Sequence, residues 1–250
     1  MIPWIFLRAG EYPSGSELFS LAPSFLSPAE IAYLGTLRFP RRREDWLAGR
    51  WAAKRLLAAL QLGGEPFAPT ETALLRSPSG APVLHHRGRP LPHSLSLSHR
   101  AGGVLCACCP LPGVALGVDL EWVEDRHPAF YQDYFTPAEQ AFAAEVEPYA
   151  PAVWFTLLWS AKEAVLKSLG LGLKVDPRRI EISADPHAWQ ALHLPASASV
   201  WQLFSVHARD LSVDAPQRLW AQRRGDFVLT CALKAKGPAN LAPAEHPIQA

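Results

Sequence analysis

Residues 94–121 read SLSLSHRAGGVLCACCPLPGVALGVDLE, and three strands are legible in them. Ser94 to His99 alternates polar with apolar, the two-residue period of a strand. Arg100-Ala101-Gly102-Gly103 reads as a turn, Val104 to Cys109 as a second strand, Pro110-Leu111-Pro112-Gly113 as a second turn, and Val114 to Glu121 as a third strand. The segment is expected to form an antiparallel meander.

On the third strand Leu116, Val118 and Leu120 share one face, and Gly117, Asp119 and Glu121 share the other. The two carboxylates are about 7 Å apart at the backbone, so their side chains can converge on one cation. Mg²⁺ suits such a pair, because it takes oxygen ligands and keeps positions for water and phosphate. A D-x-E pair taken alone is more simply the solvated face of a half-buried strand. Gly117 argues for more, since a strand glycine leaves room for another backbone to come close.

Working outward, Ser27-Pro28-Ala29-Glu30 has the form of a helix start, with Ser27 as N-cap, Pro28 in the first turn and Glu30 closing a capping box. A helix follows from about Glu44 to Leu60, closed by Gly63-Gly64. The first 40 residues otherwise read as a short strand with irregular segments, and residues 65–93 as loops. Downstream, Thr136-Pro137-Ala138-Glu139 repeats the helix-start pattern. A long helix spans about Pro151 to Leu169 and ends at Gly170 and Gly172; strands follow near 179–183, 199–207, 217–222 and 227–234. The expected fold is α+β. Two similar halves, residues 1–113 and 114–236, each pack an antiparallel sheet with a long helix, and the site lies in the cleft between them. The tail 237–250, with three prolines and no periodicity, is expected to be mobile.

Composition bounds the partners. The chain has 250 residues, 24 Lys+Arg against 23 Asp+Glu, and 49% hydrophobic residues. That excludes wholesale disorder and argues against a nucleic-acid coat or a polybasic membrane binder. No apolar run reaches the ~18 residues that span a bilayer, and the start lacks the form of a signal peptide, so the expected location is the cytoplasm. Four cysteines without C-x-x-C spacing read as buried thiols rather than a zinc site.

In the long helix, Trp154, Leu158, Ala161, Val165 and Leu169 form an apolar stripe, and Glu163 and Lys167 lie nearly opposite as an i,i+4 pair. A solvated ion pair is the plain reading. Trp159 shares that face, however, so the face is expected to meet the other half. The helix at 44–60 carries Arg50 and Lys54 after Arg41-Arg42-Arg43, cations that suit phosphate. Ser98 and His99 are neighbours on a strand and point to opposite faces, so they cannot form a nucleophile–base dyad. No phosphate-binding loop, H-E-x-x-H or G-x-S-x-G motif is present.

Taken together, the R-x-x-x-K helix, Gly80-Ala81-Pro82, the strand ending Ser98-His99, the G-V-D-L-E strand and W-S-A-K-E-A-V-L-K followed by G-L-G-L resemble the Sfp-type 4′-phosphopantetheinyl transferases over residues 41–183. The resemblance implies transfer of phosphopantetheine from coenzyme A to a serine of an apo acyl, peptidyl or aryl carrier protein, with adenosine 3′,5′-bisphosphate released. It implies Mg²⁺ on Asp119, Glu121 and Glu163, with Glu163 and Lys167 as catalytic groups. Coenzyme A contacts are implied for Arg50, Lys54, Gly80, Ala81, Ser98, His99 and Lys162. Ala81 stands where the family usually has lysine, and Arg100 where a second serine is common. A monomer is expected, since two fused halves supply what single-half relatives make by oligomerising. The alternatives are a non-catalytic relative that binds coenzyme A or a carrier protein, and an unrelated Mg²⁺-dependent phosphotransferase acting on nucleotides.

Overall fold

In the computed structural model the described residues are 1–61, 67–77, 80–146, 151–193, 200–209, 211, 217–235 and 241–249. The first half runs β1 (Trp4–Leu7), α1 (Gly15–Phe25), α2 (Pro28–Thr36), α3 (Pro40–Ala59), β2 (Thr72–Arg76), β3 (Pro82–His86), β4 (Arg89–Pro90), β5 (Ser94–Arg100) and β6 (Gly103–Cys109). The second runs β7 (Val114–Trp122), α4 (Pro128–Tyr134), α5 (Pro137–Val146), α6 (Pro151–Leu169), β8 (Ile180–Ser183), α7 (Pro186–His193), β9 (Gln202–Ala208), β10 (Gln217–Arg224) and β11 (Phe227–Ala235).

The strands form sheets of order β1-β6-β5, β7-β11-β10-β9-β8 and β2-β3-β4. Strand alternation sorts the side chains into layers. Val104, Cys106 and Cys108 of β6 pack under α1, α2 and α3. Leu105, Ala107 and Cys109 turn the other way and meet Leu116, Val118 and Leu120 of β7 and Leu229, Cys231 and Leu233 of β11. Behind the larger sheet, Val228 and Ala232 pack against α6 and α7. The two main sheets are therefore back to back, with helices outside them. This makes β6 an unbroken apolar run and leaves all four cysteines as buried free thiols.

The meander is only half realised. β5 and β6 form the expected hairpin, but β7 leaves it and pairs with β11. The segment 65–93 is not loops throughout: β2 and β3 pair, and β4 adds to β3. The first 40 residues hold two helices, α1 opening on a Ser14–Glu17 capping box and α2 on the Ser27–Glu30 box. Of the tail, residues 237–240 and 250 lie outside the described residues, and 241–249 run beside β1. Ile2 exchanges backbone bonds with Ala242 and Ala244, Ile248 N–H donates to the Trp4 carbonyl, and Leu241 is buried. β1 is an edge strand, and these bonds satisfy its free edge. The expected glycine stop at Gly63-Gly64 lies outside the described residues.

The likeness of the halves is written in a buried ion pair. Glu30, third residue of the α2 capping box, accepts from Lys54 Nζ of α3 at 2.9 Å and from the Leu74 N–H of β2 at 3.0 Å. Lys54 also donates to the carbonyls of Pro69 and Thr72. Glu139, third residue after Thr136, accepts from Lys162 Nζ of α6 at 2.9 Å and from the Ile182 N–H of β8 at 2.8 Å. Lys162 likewise donates to Pro177 and Ile180. Each long helix is bolted to its neighbour helix and sheet by the same five-group arrangement.

Candidate active site

Gly117 sets the closeness of α6 to β7. A Cβ there would sit 2.0 Å from the Ala164 carbonyl oxygen and 2.6 Å from the Ser168 nitrogen, so only glycine admits the helix. Asp119 is the next residue of β7 on the same face, and Glu163 and Lys167 directly precede Ala164 and Ser168 on α6. The helix stops at Gly170, whose φ of +69° lets the Leu171 N–H reach back to the Leu166 carbonyl.

Lys167 Nζ lies 2.6 Å from Asp119 Oδ1, 3.1 Å from the Val118 carbonyl, 3.3 Å from Ser98 Oγ and 3.7 Å from Glu163 Oε2. Ser98 Oγ donates to the same Asp119 oxygen at 2.8 Å. The other oxygen, Oδ2, is buried without a partner. Burial, then the charges of Asp119 and Glu121, push the Glu163 carboxyl up to about 7 against the pull of Lys167. Burial works against the Lys167 ammonium, but Asp119 and Glu163 outweigh it and raise its pKa.

Glu121 is held differently. Trp159 Nε1 donates to Oε1 at 3.0 Å; Arg126 and Arg100 reach Oε2 at 3.0 and 3.3 Å. Burial followed by Asp119 still raises its pKa. The place of Trp159 on the Glu163 face is thus explained by its bond to the D-x-E strand.

Below this cluster β5 and β7, both edge strands, meet without a backbone ladder. The Leu116 N–H donates to Ser94 Oγ at 3.0 Å and the Val118 N–H to Ser96 Oγ at 2.9 Å. This explains the serine alternation from residue 94.

A cavity of about 1100 Å³ opens beside the seam. Its walls come from α3, the turn after β2, β5, the start of β7, the end of α6 and Lys234 of β11. Arg41, Arg42, Arg50, Arg76, Lys167 and Lys234 line it, with Asp45 as the one carboxylate among the described lining residues. Such a wall suits a ligand with several negative charges.

Gly80, Ala81, Ser98, His99 and Lys167 all line this cavity. His99 Nδ1 is 3.9 Å from Asp45, and burial, helped by Lys167, lowers its pKa against Asp45 and Asp119. Other expected residues stand elsewhere. Lys54 and Lys162 are 3% and 0% exposed, point away from the cavity and hold the two buried pairs above. Arg50 is in the wall, but its guanidinium bonds the Leu74 carbonyl, pairs with Glu30 and stacks on Trp46. A charged side chain facing inward finds its partner far along the chain, and residue spacing does not reveal it. Arg76 and Lys234 carry no motif of their own; Arg41 and Arg42 are visible as a basic run.

Among the described residues no three His, Cys, Asp or Glu side chains form a ready-made ligating group. A smaller donor set is nevertheless suited to a hard cation. Asp119 offers its unpartnered Oδ2, and Glu163 is a carboxyl whose ionisation its acidic neighbours oppose. Both oxygens of Glu121 are engaged, so its expected part as a third ligand requires it to leave Arg100 and Arg126.

The antiparallel α+β sandwich thus carries a cationic cavity that ends at a carboxylate–lysine cluster, an arrangement suited to anionic groups. Residues 115–232 match the family model of the 4′-phosphopantetheinyl transferase superfamily. That match covers a little under half of the chain. Among solved structures it is similar to a holo-(acyl-carrier-protein) synthase from Bacillus anthracis in complex with CoA (3′,5′-ADP), at 16% identity, 49% of this chain, 96% of that one and a TM-score of 0.39. It is also similar to the holo-[acyl-carrier-protein] synthase of Neisseria meningitidis, at 17% identity, 49% and 98% coverage and a TM-score of 0.39. The acyl carrier protein synthase of Mycobacterium tuberculosis shows 24% identity, 49% and 97% coverage and a TM-score of 0.33. No curated protein matches the chain. No helix among the described residues is long and apolar enough to cross a membrane.

Proposed function

We propose that the chain transfers 4′-phosphopantetheine from coenzyme A to a serine of an apo carrier protein, as an Sfp-type enzyme with both halves in one monomer. The observation that carries this reading is the cavity between the halves, with six cationic side chains against one carboxylate among its described lining residues, in whose wall Lys167 and Ser98 touch Asp119. Coenzyme A is a pyrophosphate with a further 3′-phosphate, and such a wall suits it.

The roles follow from position. Arg41, Arg42, Arg76 and Lys234 hold phosphate, and the Gly80-Ala81 turn and His99 flank the nucleotide end. Lys167, able to face the cavity, neutralises charge gathering on the bridging oxygen as it leaves. The carrier serine oxygen bonds to the phosphorus bearing the pantetheine arm. The pyrophosphate P–O bond breaks, and adenosine 3′,5′-bisphosphate departs with the bond's electron pair. Glu163 takes the serine proton, a task suited to a carboxyl poised near neutral pH. Asp119 and Glu163 would hold Mg²⁺, which when bound supplies charge neutralisation at the pyrophosphate.

Incubation with coenzyme A, Mg²⁺ and several apo carrier proteins tests the reading by intact mass. One added phosphopantetheine is expected on a carrier; no gain on any of them sinks it. Light scattering should return a monomer, and a stable trimer would contradict that part.

A further inference from the structure

We propose that the Lys167 ammonium is a place-holding cation: in the metal-free protein it occupies the carboxylate pair, and a divalent ion enters only as Lys167 leaves toward the cavity. This rests on the reading of Asp119 and Glu163 as metal ligands.

Four oxygens surround Nζ: Asp119 Oδ1 at 2.6 Å, the Val118 carbonyl at 3.1 Å, Ser98 Oγ at 3.3 Å and Glu163 Oε2 at 3.7 Å. Carboxylate, carbonyl and hydroxyl oxygens about a small cation are also the donors a hard divalent ion takes. Asp119 meets Lys167 through one oxygen only, and its other stays buried and unpartnered. The neighbouring guanidiniums do not compete for this place, since Arg100 and Arg126 hold Glu121 and Glu124.

Lys167 also has somewhere to go. Its side chain is 31% exposed and lines the cavity. Lys162 on the same helix is wholly enclosed by Glu139 and two carbonyls and has no such exit. One lysine is fixed and the other is placed to swing. An ammonium displaced from Asp119 arrives among the cavity cations, where a phosphate would receive it. Metal entry and phosphate binding are thereby coupled through one side chain.

Mn²⁺ is the probe, with binding followed by the electron paramagnetic resonance signal of the free ion and by calorimetry. Lys167→Met removes the competitor, so Mn²⁺ should bind roughly tenfold tighter or more, as when a competing state is deleted. Lys167→Gln, which keeps a polar group, should show the same direction. In the wild type, acetylation of the Lys167 amine should accelerate when Mn²⁺ is added. Unchanged or weaker Mn²⁺ binding in both variants, with wild type binding and Asp119→Asn not, overturns the place-holder while leaving the metal site standing. No Mn²⁺ binding in wild type or either Lys167 variant overturns the metal reading and this inference with it. A side chain that merely supported the fold would not tighten metal binding when removed.

Discussion

Glu139 and Lys162 face each other at 2.9 Å with almost no solvent contact, and Glu30 and Lys54 repeat the arrangement at 2.9 Å in the other half. Burial lowers the pKa of both lysines while their carboxylates oppose the drop. Removing one partner strands a buried charge, which costs about 3–5 kcal/mol. Lys162→Met should lower the urea midpoint accordingly, and Glu139→Leu with Lys162→Met should recover much of the loss. Lys54→Met should behave likewise, and its folded fraction should keep coenzyme A affinity. A coenzyme A defect without a stability defect would return Lys54 to the binding site.

Glu163 makes stability depend on pH. Its carboxyl sits at about 7 in the fold against 4.5 for an ordinary glutamate. A raised pKa means that folding takes up a proton between those values. The stabilising contribution is complete below 4.5 and is lost as pH rises toward about 7. Glu163→Gln should flatten that slope in metal-free urea melts, be at least as stable as wild type above pH 7, and lower transfer by several orders of magnitude. Near-normal transfer would remove Glu163 from the chemistry.

The cavity cations should act on binding more than on turnover. Arg41→Ala with Arg76→Ala should raise KM for coenzyme A by about 10- to 100-fold, the scale of lost charge-assisted hydrogen bonds, with kcat little changed. Dephospho-coenzyme A should narrow the gap to wild type if these arginines serve the 3′-phosphate. Loss of kcat at unchanged KM would place them elsewhere.

Gly117→Ala drives a methyl into the backbone of α6, where no side chain can yield. It should cost about 1–3 kcal/mol or more in urea melts and reduce transfer beyond the loss of folded protein. A variant with wild-type activity and stability would show that the helix spacing is not set there.

Local signals carry through to the structure, and long-range ones do not. The Ser27 and Thr136 helix starts, the 151–169 helix and the two faces of the D-x-E strand rest on neighbours within a turn or two. The helix α1 escapes a reading of the sequence despite Ser14 and Glu17, because Pro23 lies inside it. β2 and β3 are hidden by proline and glycine punctuation. Residues 241–249 are tied to β1 largely by backbone bonds of Ala242, Ala244 and Ile248, which leave no periodic pattern in the sequence. Lys54 reads as a cation suited to phosphate and Lys162 is tied to coenzyme A by resemblance alone, because the carboxylates that claim them lie 24 and 23 residues away. Glu121 reads as an open carboxylate, and Arg126 on the following loop cannot be aligned with it from spacing alone.

The row of serines between β5 and β7 makes an unusual kind of joint. A ladder opens as a unit, whereas hydroxyl bonds release one at a time, each rotating away on its own Cβ. The back of the interface is sealed by the apolar packing of Leu105 and Ala107 against Val118 and Leu229, so any parting is confined to the site side. The protein is thus built like a book bound along its apolar spine, with the cavity at the fore-edge. Amide exchange should record this: the Leu116 and Val118 protons, held only by Ser94 and Ser96, should exchange faster than the β11 protons paired to the other edge of the same strand.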